Sequence, residues 1–326
     1  MAATIYAGFA VYLYQPYFKR FGALQYLVVV NSCLAACGCY VLSRRWVESF
    51  AGSLFAGAIY GFGPFTLGMA KFHPAAGLLV AIIPLLFWPA VFVNKTKWRR
   101  LSIPLSSMVF VVIVFFFQIS AQLRFFAVPV QTKLHLCDLA ALPAPLVAVQ
   151  RGLTAVGFYH VPIAALIIGV SMLVTGRRFG VMIIFLTAAI LAFCDPILSV
   201  SPIIWLAIPV LCCSIFAGAG MQGLIGAGYA DRRWLLTTAV IMGSISIGML
   251  LLATKYFQTF ASLADTEAKL LLEAGKMYVL GTIAVAIVFF MARAKLRTRW
   301  LRVVLLCSAV VVDIFFGARF IVDKIL

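Results

Sequence analysis

The chain has 326 residues, of which 65% are hydrophobic and only 11% charged, and its formal net charge is +17. A water-soluble domain carries about 25% charged residues, so too few polar groups exist here to cover an aqueous surface; the apolar runs are continuous rather than alternating, which speaks against a β-barrel as well. The basic residues fall in short clusters between apolar runs, the distribution of a membrane-topology signal rather than of a nucleic-acid patch.

Runs approaching the roughly 20 residues that cross a bilayer as a helix predict an all-α, polytopic bundle of about 9–11 transmembrane helices, one membrane domain over residues 1–326. The first run, 2–14, is short and reads as a stunted span or an interfacial helix. Spans follow near 24–43, 47–70, 75–94 and 101–120. A long loop, about 121–152, then carries Arg124, Lys133, His135, Asp138 and Arg151 among prolines. Further spans are expected near 153–175, 179–198, 203–229, 234–254, 274–292 and 300–322. Pro202, Pro209 and a run of glycines leave 203–229 open to being broken or re-entrant. A second long loop, about 255–273, contains ASLADTEAKLLLEAGK, whose leucines at helical spacing predict a short amphipathic helix at the interface.

The basic clusters test this layout. With Arg44 and Arg45 on the cytoplasmic side, alternating spans also bring inside Lys95 to Arg100, Arg177 and Arg178, Arg232 and Arg233, and Arg293 to Arg299. An error of one span midway would send the later clusters outside, so the charges support counting 203–229 as a crossing. The same alternation puts Lys71, His73 and both long loops on the outer side.

Order and spacing from Asn31 to Trp88 carry a resemblance. An asparagine opens a helix that ends in Tyr40, Leu42, Arg44 and Arg45. A small-residue helix ends in Tyr60, Gly61, Phe62, Gly63 and Pro64. Then come His73 and a proline-interrupted apolar helix with Pro84 and Trp88. This stretch, about residues 28–95, with a weaker echo near 195–230, resembles polytopic GT-C superfamily glycosyltransferases of the YfhO-like type. The resemblance implies a GT-C-like bundle and transfer of a sugar from a polyprenyl-phosphate donor. It also implies an acidic first outer loop, because an acceptor hydroxyl must lose its proton as the glycosidic bond forms. The corresponding stretch here, YLYQPYFKRFGA, has no acid, and Asp and Glu together number nine in the chain. The catalytic loop of such enzymes is thus missing at the expected place.

The remaining chemistry-bearing residues each admit two readings. Lys71 and His73, with Arg124, Lys133 and Arg151, read as an anion or lipid head-group site outside, or as polar helix ends and loop. His135, Cys137 and Asp138 form a cluster without a second pair at ligand spacing, so no metal is expected. The eight cysteines lie mostly in apolar runs and read as small buried hydrophobes. His160 and Asp313 lie within apolar helices, where an ionisable group marks a partner or a proton path. Arg319, six residues beyond Asp313, is a poor partner for it; another helix, another subunit or a proton route are the alternatives. Asp195, before Pro196 at the outer end of a helix, is the better acid should the chain be an enzyme, with Asp138 second. The expected function is a non-catalytic membrane subunit or scaffold of a larger bacterial inner-membrane complex, binding lipids and other membrane subunits without cofactor or nucleic acid. A lipid-linked sugar transferase is the alternative and a transporter the third.

Overall fold

The computed structural model describes residues 1–22, 25–72, 74–93, 96–122, 134, 139, 142–150, 157–175, 179–197, 200–255, 265–294 and 298–325. Among them the chain forms helices and turns without strand. The helices are α1 (Ala2–Tyr14), α2 (Tyr26–Ser43), α3 (Phe50–Gly61), α4 (Pro64–Phe72), α5 (Pro74–Leu86), α6 (Pro89–Phe92), α7 (Thr96–Gln122), α8 (Pro145–Gln150), α9 (His160–Thr175), α10 (Phe179–Phe193), α11 (Ala207–Gly226), α12 (Arg232–Leu252), α13 (Asp265–Arg293) and α14 (Arg299–Ile325). Among the described residues, six stretches are long and apolar enough to cross a membrane: Tyr26–Ser43, Phe50–Met69, Pro202–Gly226, Tyr229–Leu252, Asp265–Arg293 and Arg299–Lys324. Four shorter apolar helices accompany them. The architecture is therefore the all-α, multi-pass bundle that the composition predicts.

Details differ from the expected spans, each for a local reason. The 47–70 span breaks at Phe62 and Gly63, because Pro64 has no N–H to continue the helix and disfavours helical backbone at the residue before it. The 75–94 span keeps Pro84 inside its main helix, which ends at Leu86. The amphipathic helix expected as a separate piece within 255–273 is instead the start of α13, a single helix of 29 residues. Its early Asp265 and Glu267 sit in the first turn, where the helix dipole favours acids. The doubtful 203–229 stretch is no re-entrant loop: a 3-10 turn, Pro202–Leu206, feeds straight into the continuous α11.

Burial explains why that stretch carries no polar face. About 78% of its apolar window is buried, against 28% for the window of α12. A helix surrounded on all sides by protein needs no polar face. Around α11 pack α3, α9, α10 and α14. Small residues permit the closest approaches. A Cβ on Gly218 would stand 2.6 Å from the Gly52 carbonyl, and one on Gly52 2.7 Å from the Gly218 carbonyl, so α3 and α11 meet backbone to backbone. Against α9 the fit is tighter still: Cβ atoms at Gly220 and Gly169 would overlap the carbonyls of Ala165 and Phe216.

One end of the bundle gathers the basic turns. The Gln222 side-chain oxygen accepts from the backbone N–H of Glu48 (2.9 Å) and Ser49 (3.2 Å), joining the end of α11 to the turn after Arg44 and Arg45. Buried Arg302 of α14 donates to the Ala227 carbonyl just beyond α11. The turns holding Arg44 and Arg45, Arg232 and Arg233, and Arg299 thus share one end, as the alternation of charges requires.

Replacing Gly169 or Gly220 by Ala should destabilise by roughly 1–3 kcal/mol, the usual cost of overpacking. The readout is the apparent Tm of the protein in mild detergent. Gly226→Ala and Gly248→Ala, where an added Cβ meets nothing within 4 Å, should leave it nearly unchanged. Equal Tm values in all four variants would show that the α9–α11 contact is looser than described.

Candidate functional site

Two prolines leave backbone carbonyls without their helical donors, and an apolar interior offers no water to replace them. Pro64 cannot donate to the Tyr60 carbonyl; the Thr66 hydroxyl donates to it instead, at 2.6 Å. Pro84 cannot donate to the Val80 carbonyl; the buried Tyr60 hydroxyl does, at 2.9 Å. At the α3–α4 break the Phe62 carbonyl accepts from the Tyr159 hydroxyl at 2.6 Å. Trp88 Nε1 donates to the Gly38 carbonyl at 3.1 Å, tying the kinked α5–α6 region to α2. Tyr60, Pro64, Pro84 and Trp88, all between residues 31 and 88, thus form one interlocked unit.

Next to this unit lies the most polar spot of the described interior. His160 and Asp313 are each about 1% exposed. Nδ1 of His160 lies 2.9 Å from Oδ1 of Asp313. Oδ2 of Asp313 accepts from the backbone N–H of Val161 at 2.6 Å. Asp313 therefore supplies from α14 the acceptor that the first turn of α9 lacks, where the N–H groups and the helix dipole both favour a carboxylate. The contact from Nδ1 to the Asp313 carboxylate fixes the orientation of the imidazole ring. Nε2 is buried and makes no hydrogen bond among the described residues. The Tyr278 ring stands edge-on to the imidazole at 5.0 Å and 85°, and its hydroxyl donates to the Pro143 carbonyl at 2.8 Å. Gly317 admits the Tyr159 ring against α14, since a Cβ there would overlap it.

At 1.5 Å rise per residue, His160, Tyr278 and Asp313 each lie roughly 21–23 Å along their helices from the basic end. The cluster is a polar layer at one depth, joining α9, α13 and α14 to the α3–α4 break. What the arrangement does is fasten helices through the Asp313 carboxylate. Among the described residues, no three His, Cys, Asp or Glu side chains converge as metal ligands.

The other candidate residues do not join this layer. Arg319 does not reach Asp313: its Nε lies 3.0 Å from Oδ1 of Asp323, four residues on, and its guanidinium sits 5.5 Å from the Tyr17 ring. Asp195 lies exposed in the turn after α10. Lys71 falls in the last turn of α4, with its side chain outside the described residues. His73, Arg124, Lys133, His135, Cys137, Asp138 and Arg151 lie outside them altogether. Sequence reading marks His160 and Asp313 separately and misses that they face each other. Equal depth from the flanking basic turns is the signal that could have paired them. It also misses Tyr159 and Tyr278, and the role of the Tyr60 hydroxyl, since a tyrosine in an apolar run does not declare where its hydroxyl goes.

No family model, curated protein or solved structure matches the chain.

If the pair fastens α9 to α14, Asp313→Leu should cost about 3 kcal/mol or more, because it strands buried donors. In a cycle of Asp313→Asn, His160→Gln and the double variant, the coupling should be about 0.5–3 kcal/mol. Unfolding in mixed micelles measures it. Additive single-variant effects would mean that the two groups are independent.

Proposed function

We propose that this chain is a non-catalytic integral-membrane subunit or scaffold of a bacterial-type inner membrane, with a GT-C-like helix arrangement that holds lipid and docks partner membrane proteins. The observation that carries this reading is the use made of Asp313. Both oxygens of this buried carboxylate are engaged within the bundle, one with His160 and one with the α9 backbone. An acid that must activate an acceptor needs an oxygen turned toward the reactant. The hydroxyls of Thr66, Tyr60 and Tyr159 are likewise directed at main-chain carbonyls. Outward-facing apolar side chains support docking in the bilayer. Met108 and Val112 on α7, Ile183 and Ile190 on α10, and Ile247 on α12 are all exposed.

The sugar-transferase reading draws on Asp195, exposed at the end of α10 away from the basic turns, and on the resemblance around Asn31 to Trp88. Two measurements separate the readings. Purified from native membranes in mild detergent, the chain should migrate with other membrane proteins in fixed ratio. Turnover of a polyprenyl-phosphate sugar by the isolated chain would overturn the scaffold proposal. Asp195→Asn should leave both assembly and the cell's glycans unaltered; loss of a glycan at normal protein yield would favour the enzyme.

A further inference from the structure

We propose that an apolar cleft at the junction of α2, α6, α7, α10 and α11 holds one acyl chain of an anionic phospholipid, its head group lying by Arg45. Between its walls the cleft has about 430 Å³ of free space, part of it open to the outside, the shape of a surface slot rather than of a closed cavity. Its walls are carbon and sulfur only, from residues such as Leu42, Phe87, Ile103, Ile184, Leu211 and Cys212. A water molecule there would have none of the two to four polar partners that hold it in a protein interior. An alkyl chain needs no such partners, and each methylene moved from water into such a site contributes about 0.8 kcal/mol.

Two features say what kind of molecule enters and which way it points. The deep walls, Leu42, Ala90 and Leu211, are buried, whereas Ile103 of α7 and Val181 and Ile184 of α10 are half-buried. The cleft therefore opens between α7 and α10, whose outer faces present exposed Leu101, Leu105, Ile183 and Leu186. That opening looks sideways into the hydrocarbon region, where acyl chains are the solvent. Trp46 lines the cleft, and the Arg45 guanidinium sits 4.9 Å from its ring. Arg45 belongs to the basic end of the bundle, next to Arg44. A tryptophan with an arginine on its face, at the rim of an apolar slot, matches a lipid at its glycerol and phosphate level. Net charge of +17 and the clustering of arginines at this end select an anionic head group over a zwitterionic one.

The inference rests on the lipid-holding part of the scaffold proposal and names the lipid and its seat. It is tested on the full chain by native mass spectrometry after detergent washing, with phosphatidylglycerol and phosphatidylcholine offered together. One phosphatidylglycerol should stay bound per chain. Ile184→Trp, which fills the cleft, should lower retention at least about tenfold. Ile183→Trp, on the exposed face of the same helix, should not. Arg45→Gln should keep the lipid but reduce the preference for phosphatidylglycerol about fivefold, the effect of one basic residue near a membrane surface.

Should Ile184→Trp not give a monodisperse protein, wild type and Trp46→Phe decide the matter. Phosphatidylglycerol brominated in its acyl chain should quench wild-type fluorescence more than brominated phosphatidylcholine, and Trp46→Phe should remove the excess. No retained lipid, equal retention in Ile184→Trp, equal quenching by the two lipids, or a polyprenyl phosphate in the cleft would each overturn the proposal. Loss of lipid with partner co-migration intact counts against the cleft alone; the reverse counts against partner docking alone.

Discussion

A peptide group inside a bilayer must find its hydrogen bond within the protein, and in this bundle that rule decides where the interior polar side chains go. Two prolines remove two helical donors. The hydroxyls of Thr66 and Tyr60 donate to the carbonyls left behind. A helix break exposes the Phe62 carbonyl, and Tyr159 reaches it from just before α9. The first turn of α9 lacks acceptors, and Asp313 of α14 provides one. Each irregularity is thus answered by a side chain: Thr66 locally, Tyr60, Tyr159 and Asp313 from another element. The kinks do not loosen the bundle; they create the sites through which its helices recognise one another.

That same rule bears on function. A polar group in a membrane interior is usually taken as the mark of transport or catalysis. Here most of the buried hydroxyls, and the buried carboxylate, answer to the backbone. His160 Nε2 stands apart, since its partner is not among the described residues. A bundle whose interior polarity is spent on its own shape, and whose exterior is broadly apolar, is suited to being held by lipids and neighbours. The cleft beside Trp46 adds a specific place for such a lipid.

Much of this architecture was written in the residue order. Continuous apolar runs predict helices, and helices form there; the 203–229 stretch, open in the sequence to being broken, holds the continuous α11. Small residues in AGSLFAGAIYGFG and IFAGAGMQGLIGAG permit close approach, and the two segments meet at Gly52 and Gly218. What the order could not give was pairing across space. His160 and Asp313 are separated by 153 positions, and nothing local joins them. Arg319 drew attention as a neighbour of Asp313 in sequence, yet a spacing of six places it on another side of the helix, where Asp323 at four is the natural partner. Proline kinks were visible, but not the tyrosines that serve them, because an aromatic ring in an apolar run looks the same whether or not its hydroxyl is needed. The sequence predicts a separate piece at the start of α13 because the charged first turns hide the continuity of the backbone.

The bond from Asp313 to Val161 also has a temporal side. Chains are inserted in order of synthesis, N-terminal segments first, so α9 enters the membrane well before the carboxylate that completes its first turn has been made. Until α14 arrives, that turn must borrow acceptors from lipid head groups, water or the insertion machinery. Closure of the bundle is thereby deferred to a late step of biogenesis, and a product interrupted before Asp313 would carry an unfinished helix end for quality control to detect.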